Sequence, residues 1–168
     1  LQVLEKLGDG GFGSVYRAYD QELKREVAIK ILHGWRLSQD SSDRHRFIQE
    51  AKVLASMNHR NLLKVYGLEF SLKSRPYLLS EFLHGKPLSL FIEQNSPLPV
   101  RAAIELAIQI CQGMYYAESC RVVHRDLKPD NIFVCGDDSE NIVKILDFGL
   151  CRDLEANPET RDFKTASG

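Results

Sequence analysis

The stretch "HRDLKPDN", His124 to Asn131, sets an acid, a cation and an amide within six residues: Asp126, Lys128 and Asn131. It lies between two apolar runs. A second acid, Asp147, closes the apolar run that leads into "LDFGL", with Gly149 freeing the backbone just beyond it. Two carboxylates and an amide offer hard oxygen ligands suited to Mg²⁺, and one carboxylate can serve as a base.

A lysine and a glutamate form a further pair. In "VAIK" the side chains of Ala28, Lys30 and Leu32 share one face of a strand. A lysine between apolar neighbours is costly to bury without a partner. Downstream, Phe47, Ala51 and Leu54 fall on one helical face, and Glu50 falls on that same face. A carboxylate on an apolar stripe calls for a cation, and Lys30 is the candidate.

The third feature is "GDGGFGSV", Gly8 to Val15. Gly8, Gly10 and Gly13 follow G-x-G-x-x-G, a loop whose backbone N–H groups can approach a phosphate. Three readings stand side by side. A dinucleotide-binding fold needs a helix next, and "SVYRAY" alternates as a strand. A P-loop needs Lys and Ser/Thr where Ser14 and Val15 stand. A strand hairpin covering ATP phosphates calls for a Val two residues after the last glycine, which is Val15. A flexible hairpin with no ligand is the bland alternative.

The elements that must position these residues are legible as alternations and periods. Strands are expected at Leu1–Leu7, Ser14–Tyr19, Glu26–Leu32, Val65–Phe70 and Tyr77–Phe82. A helix is expected from Asp40–Asp43 to about Ser56. A long helix over Pro99–Ser119 carries Val100, Ala103, Ile104, Ala107, Ile108, Cys111 and Met114 at spacings of three and four. Short strands at Val122–Val123, Ile132–Val134 and Ile142–Leu146 complete the order. A strand-rich first lobe and a helix-led second lobe follow, dividing near Leu83–Lys86.

All these motifs in this order resemble the protein kinase family, of the serine/threonine type. The resemblance runs from Leu1 to Gly168. It implies a bilobal α+β fold: an antiparallel-sheet N-lobe with one helix over residues 1–83, and an incomplete helical C-lobe over 84–168. It implies ATP and Mg²⁺. The backbone of Gly8–Val15 would cover the phosphates, Lys30 would hold the α- and β-phosphates, and Glu50 would hold Lys30. Asp126 would accept the substrate proton and Lys128 would neutralise the γ-phosphate, while Asn131 and Asp147 would ligate the metal. Val15, Ala28 and Phe133 would sandwich the adenine, with hinge hydrogen bonds from Glu81 and Leu83. Ser80 would be a small gatekeeper, and Leu54, Val65, His124 and Phe148 an apolar spine between the lobes.

Lys128, two residues after Asp126, places the resemblance on the Ser/Thr branch, and the "NIFVCGDDSENIVKILDFGL" stretch on bacterial relatives. Two departures accompany it. The sequence stops within the activation segment, which implies a piece of a longer protein and leaves the long helix short of packing partners. Pro87 stands where many relatives place a polar residue near the ribose. Within that segment Thr165 holds the usual phosphate position, with Thr160 and Ser167 nearby, and Arg125 is its expected partner, aided by Arg44 or Arg46. A pseudokinase, an inactive fragment that binds nucleotide or partners, and a small-molecule phosphotransferase are the alternatives.

Bulk properties fit this picture. The 168 residues are 43% apolar and 27% charged, and 22 Lys+Arg against 23 Asp+Glu give a net charge of −1. No global field points to nucleic acid or a membrane surface. Cys111, Cys120, Cys135 and Cys151 form no C-x-x-C pair, so reduced thiols in the cytoplasm are expected rather than a zinc site. Protein substrates bearing Ser or Thr are the implied partners, with regulatory domains outside the chain. No apolar run is long enough to span a bilayer.

Overall fold

The computed structural model describes residues 1–10, 13–32, 41–71, 76–136 and 141–148. Five strands form one antiparallel sheet: β1 (Gln2–Gly10), β2 (Gly13–Asp20), β3 (Arg25–Leu32), β4 (Val65–Phe70) and β5 (Pro76–Glu81), in the order β1-β2-β3-β5-β4. Helix α1 (Ser41–Ser56) packs on β4. The alternation in "EVAIKI" sorts β3 between the two faces of the sheet. Val27 and Ile29 join Ala18 and Leu79 in a core cluster, while Ala28 and Lys30 take the other face.

After Glu81 the chain crosses to a second unit. Here β6 (Gly85–Pro87), β7 (Ile132–Cys135) and β8 (Ile142–Ile145) form a small antiparallel sheet beside α2 (Leu88–Gln94) and α3 (Val100–Ser119). The larger core runs through both units, from Ala51 and Leu54 of α1 to Leu106 and Ala117 of α3 and Val143 and Ile145 of β8. Residues between α1 and β4 are stitched to the second unit. Ile145 N–H donates to the Asn61 carbonyl at 2.8 Å, and Leu63 N–H donates to the Ile145 carbonyl at 2.9 Å. Asn58 N–H donates to the Tyr116 hydroxyl at 3.1 Å, and the His59 ring stacks on Tyr116. Gly113 permits the close approach of α3. A Cβ there would lie 2.9 Å from Ile145 Cδ1 and 3.2 Å from Asn61 Cβ.

Two sequence expectations are corrected, and two short elements are added. The first strand runs on to Gly10, because the glycine stretch itself pairs as a hairpin, Gly8 with Val15 and Gly10 with Gly13. Short elements β6 and α2 follow the crossover, with Pro87 as the N-cap of α2. No strand forms at Val122–Val123. Helix α3 ends instead with Arg121 at φ 60°, where Arg121 N–H donates to the Glu118 carbonyl and Val122 N–H to the Ala117 carbonyl. This pair of bonds is a Schellman motif, which consumes Val122 as a cap. On α3 the buried residues are Leu106, Gly113 and Ala117, while Val100, Ile104 and Ile108 of the apolar stripe are exposed.

Candidate active site

The cleft between the two units holds a cavity of about 280 Å³. From the large sheet it is lined by Leu7, Val15 and Ala28, and from the small sheet side by Phe133 and Leu146. Leu7 marks the register shift between Lys6 and Gly8, a bulge in β1. The crossover contributes Glu81, Phe82 and Leu83. Ser80 is small, and Leu54, Met57, Val65, Leu78 and Phe148 extend the lining beside it.

The polar end is formed by Lys30, Asp126, Lys128, Asn131 and Asp147. Lys30 Nζ is 2.5 Å from Asp147 Oδ1. Lys128 Nζ is 3.2 Å from Asp126 Oδ2. Asn131 Nδ2 donates to the Asp126 carbonyl at 2.8 Å and to Asp126 Oδ2 at 3.2 Å. One turn of 3₁₀ helix over Pro129–Asn131 aims Asn131 back at Asp126. The backbone takes left-handed angles at Arg125 (φ 63°) and Asp147 (φ 51°), a conformation that costs energy for residues other than glycine and gathers at functional sites.

His124 holds these two strained segments together and is 1% exposed. Its Nδ1 accepts the Asp126 N–H at 3.3 Å, so its Nε2 carries the proton and donates to the Leu146 carbonyl at 2.7 Å. The His124 ring also meets Phe148, with centroids 4.8 Å apart. Leu54, Val65 and Phe148 are buried in the same core cluster.

Behind the crossover, Glu81 Oε1 accepts both the Lys64 N–H at 2.8 Å and Lys144 Nζ at 2.7 Å. Glu81 N–H in turn donates to the Lys64 carbonyl at 2.9 Å. Sequence reasoning passed over Lys144. Its signal is the one that singled out Lys30: a lysine inside an alternating apolar strand, "IVKIL" beside "VAIKIL". It also passed over Met57, Leu63, Leu78 and Leu146 as lining residues.

The expected partner of Lys30 was Glu50, and the contact found is to Asp147. Glu50 lies on α1, but its side chain falls outside the described residues. So do Thr160, Thr165, Ser167 and the side chains of Arg44 and Arg46. Gly8, Gly10 and Gly13 form hairpin rungs, one of which carries the lining residue Val15.

A divalent cation is compatible with this donor set. The Asn131 amide nitrogen is committed to Asp126, which leaves the amide oxygen as the atom it would present to a cation beside the Asp147 carboxylate. Mg²⁺ is commonly held by one or two carboxylates, with waters and substrate phosphates completing the shell. Among the described residues no cluster of three His, Cys, Asp or Glu side chains forms a closed metal cage.

Comparison with known proteins agrees with the geometry. The family model described as "Protein kinase domain" matches residues 1–168. The serine/threonine-protein kinase Pkn1 of Myxococcus xanthus is 35% identical over 162 residues, covering 95% of this chain and 23% of that protein. PrkC of Bacillus subtilis, also a serine/threonine-protein kinase, is 35% identical over 159 residues, covering 95% and 24%. The chain thus spans about a quarter of the length of these curated relatives. Among solved structures, Rad53 (residues 1–466) in complex with AMP-PNP aligns with a TM-score of 0.76 at 30% identity, covering 88% of this chain and 38% of that one. The PknI kinase domain of Mycobacterium tuberculosis aligns at 0.73 and 23% identity, covering 88% and 59%, a likeness of fold.

Proposed function

This chain belongs to the protein kinase family, and on that premise we propose that it is the ATP-binding and catalytic part of a serine/threonine protein kinase. The observation that carries the reading is the convergence of Lys30, Asp126, Lys128, Asn131 and Asp147 at one end of a cavity whose other walls are largely apolar. An apolar slot suits a purine, and a cluster of both charges suits phosphates and a metal.

In this reading Val15, Ala28 and Phe133 enclose the adenine, and the Glu81 carbonyl and Leu83 backbone hydrogen-bond its edge. The Glu81 N–H is already given to Lys64, so its carbonyl is the group it offers. The backbone of the Gly8, Gly10 and Gly13 hairpin covers the phosphates. Lys30 binds the α- and β-phosphates, and Glu50 supports Lys30 from α1. Asp126 orients the substrate hydroxyl and accepts its proton. Lys128 stabilises charge on the transferred group. Asn131 and Asp147 would hold Mg²⁺, whose contribution is to neutralise phosphate charge. The work of the protein is positioning and electrostatic stabilisation.

Protein substrates bearing Ser or Thr follow from the family and from Lys128. Regulatory domains beyond this chain are supported by the greater length of the relatives. A net charge of −1 supplies no overall field toward nucleic acid, and none is proposed as a partner. No helix among the described residues is long and apolar enough to cross a membrane, and a cytoplasmic placement of this domain is part of the proposal.

The test is transfer of labelled phosphate from ATP to Ser- and Thr-containing peptides by the full-length protein, alongside Asp126→Asn. Label on Ser or Thr in the wild type, and its loss in the variant, are expected. Transfer at the wild-type rate by Asp126→Asn would overturn the assignment.

A further inference from the structure

A charged and aromatic cluster stands at the mouth of the cavity, and no role described above uses it. Arg17 lies two residues beyond the lining residue Val15 on β2, and Glu26 two residues before the lining residue Ala28 on β3. Alternation puts both on the same face as the cavity roof. Glu5 of β1 stands directly across from Arg17. Arg17 Nη1 donates to Glu5 Oε1 at 2.9 Å, and its Nε donates to Glu26 Oε1 at 2.8 Å, with Nη2 on the same oxygen. The guanidinium lies over the Phe82 ring of the crossover, 4.9 Å from the centroid. His84 meets the same ring edge-on with centroids 4.9 Å apart, and its Nε2 is 3.1 Å from Glu26 Oε2.

One guanidinium thus joins three roof strands to the segment that links the two units. Phe82 itself lines the cavity. In the proposed pose the roof covers one face of the planar ring while the crossover meets its edge, so the set of the roof over the crossover decides whether both contacts are made at once. We propose that Arg17 is a positioning residue for the nucleotide: by bridging Glu5 and Glu26 and stacking on Phe82, it fixes the roof over the crossover. The proposal rests on the cleft being an ATP site. It predicts an effect on binding and little on the transfer step, because the groups Arg17 contacts, Glu5, Glu26 and Phe82, are none of those at the polar end. A planar fork that meets carboxylates and a ring together is a property of Arg that Lys does not share.

The experiment measures, in the full-length protein, the affinity for a fluorescent ATP analogue and the kcat and KM for ATP. Arg17→Met should weaken analogue binding and raise KM by roughly three- to tenfold, with kcat within about twofold, the scale of one cation–π contact and a partly exposed ion-pair network. Arg17→Lys should fall between that variant and the wild type, and it carries the test if Arg17→Met does not fold. In a Phe82→Leu background, substituting Arg17 should have a smaller effect. Unchanged binding by Arg17→Lys and Arg17→Met overturns the proposal, as does a loss confined to kcat, or an undiminished effect in the Phe82→Leu background. A wild-type protein that fails to bind the analogue overturns the ATP reading itself. Binding by the wild type with no change in the variants overturns only the role of Arg17.

Discussion

Lys30 Nζ and Asp147 Oδ1 meet at 2.5 Å across the cleft, joining residues 117 apart in sequence. The lysine comes from the middle of β3 and the aspartate from just beyond β8, so each lobe supplies one charge. A nucleotide phosphate and a metal would compete for these two groups, and this contact is the one they would divide.

Lys30→Met keeps the apolar stem and removes the ammonium. Phosphate transfer by the full-length protein should fall by about a hundredfold or more, since electrostatic stabilisation of a phosphoryl group is lost. Initial rates at saturating ATP measure it. A wild-type rate would exclude Lys30 from the reaction.

His124→Phe keeps an aromatic ring, a somewhat larger one, and removes the bonds to Leu146 and Asp126. A buried carbonyl without its donor costs about 1–3 kcal/mol. The urea midpoint should fall accordingly. Transfer should slow as well, because Asp126 and the segment before Asp147 lose their common anchor. An unchanged midpoint would show that the imidazole is dispensable.

Gly113→Ala sets a methyl 2.9 Å from Ile145 Cδ1. Overpacking of this kind costs about 1–3 kcal/mol. Ile145→Val removes the offending atom, so the double variant should regain part of the lost thermal stability. No recovery would mean that the Asn61 side of the contact dominates.

Burial pushes the Cys135 thiol up, and Glu81 adds to this while Lys144 opposes it. A raised value leaves less thiolate at any pH below it, so Cys135 should alkylate slowly and speed up only as pH climbs past the ordinary thiol range. Among the three described cysteines, Cys111 is the exposed one and should react first at pH 8. Mass spectrometry of briefly iodoacetamide-treated folded protein resolves the order. Earlier labelling of Cys135 would contradict its burial.

Much of the fold was legible because strands of period two and helices of period 3.6 write their buried faces into the sequence. "EVAIKI" told both that β3 exists and that Lys30 was out of place among apolar neighbours. The glycine stretch read as a hairpin because "SVYRAY" alternates. What escaped depended on partners far along the chain. The Lys30–Asp147 contact and the Glu81–Lys144 pair are tertiary facts that no local pattern encodes. Val122–Val123 looked like a strand because β-branched residues favour one, yet the helix cap claimed the first of them. Helix α2 spans only seven residues, too few for a helical period to declare itself.

The stitching of residues 58–63 to α3 and β8 bears on how the cleft can open. Asn61 is completely buried, and its Nδ2 donates to Gln109 Oε1 and the Val143 carbonyl. Together with the Asn58, His59 and Leu63 contacts, this makes the connector between α1 and β4 ride with the second unit, although it belongs by sequence to the first. The sheet therefore cannot swing away freely from its β4 side. At the opposite edge β1 pairs only with β2, and its tie to the crossover is the single guanidinium of Arg17, between Glu5 and Phe82.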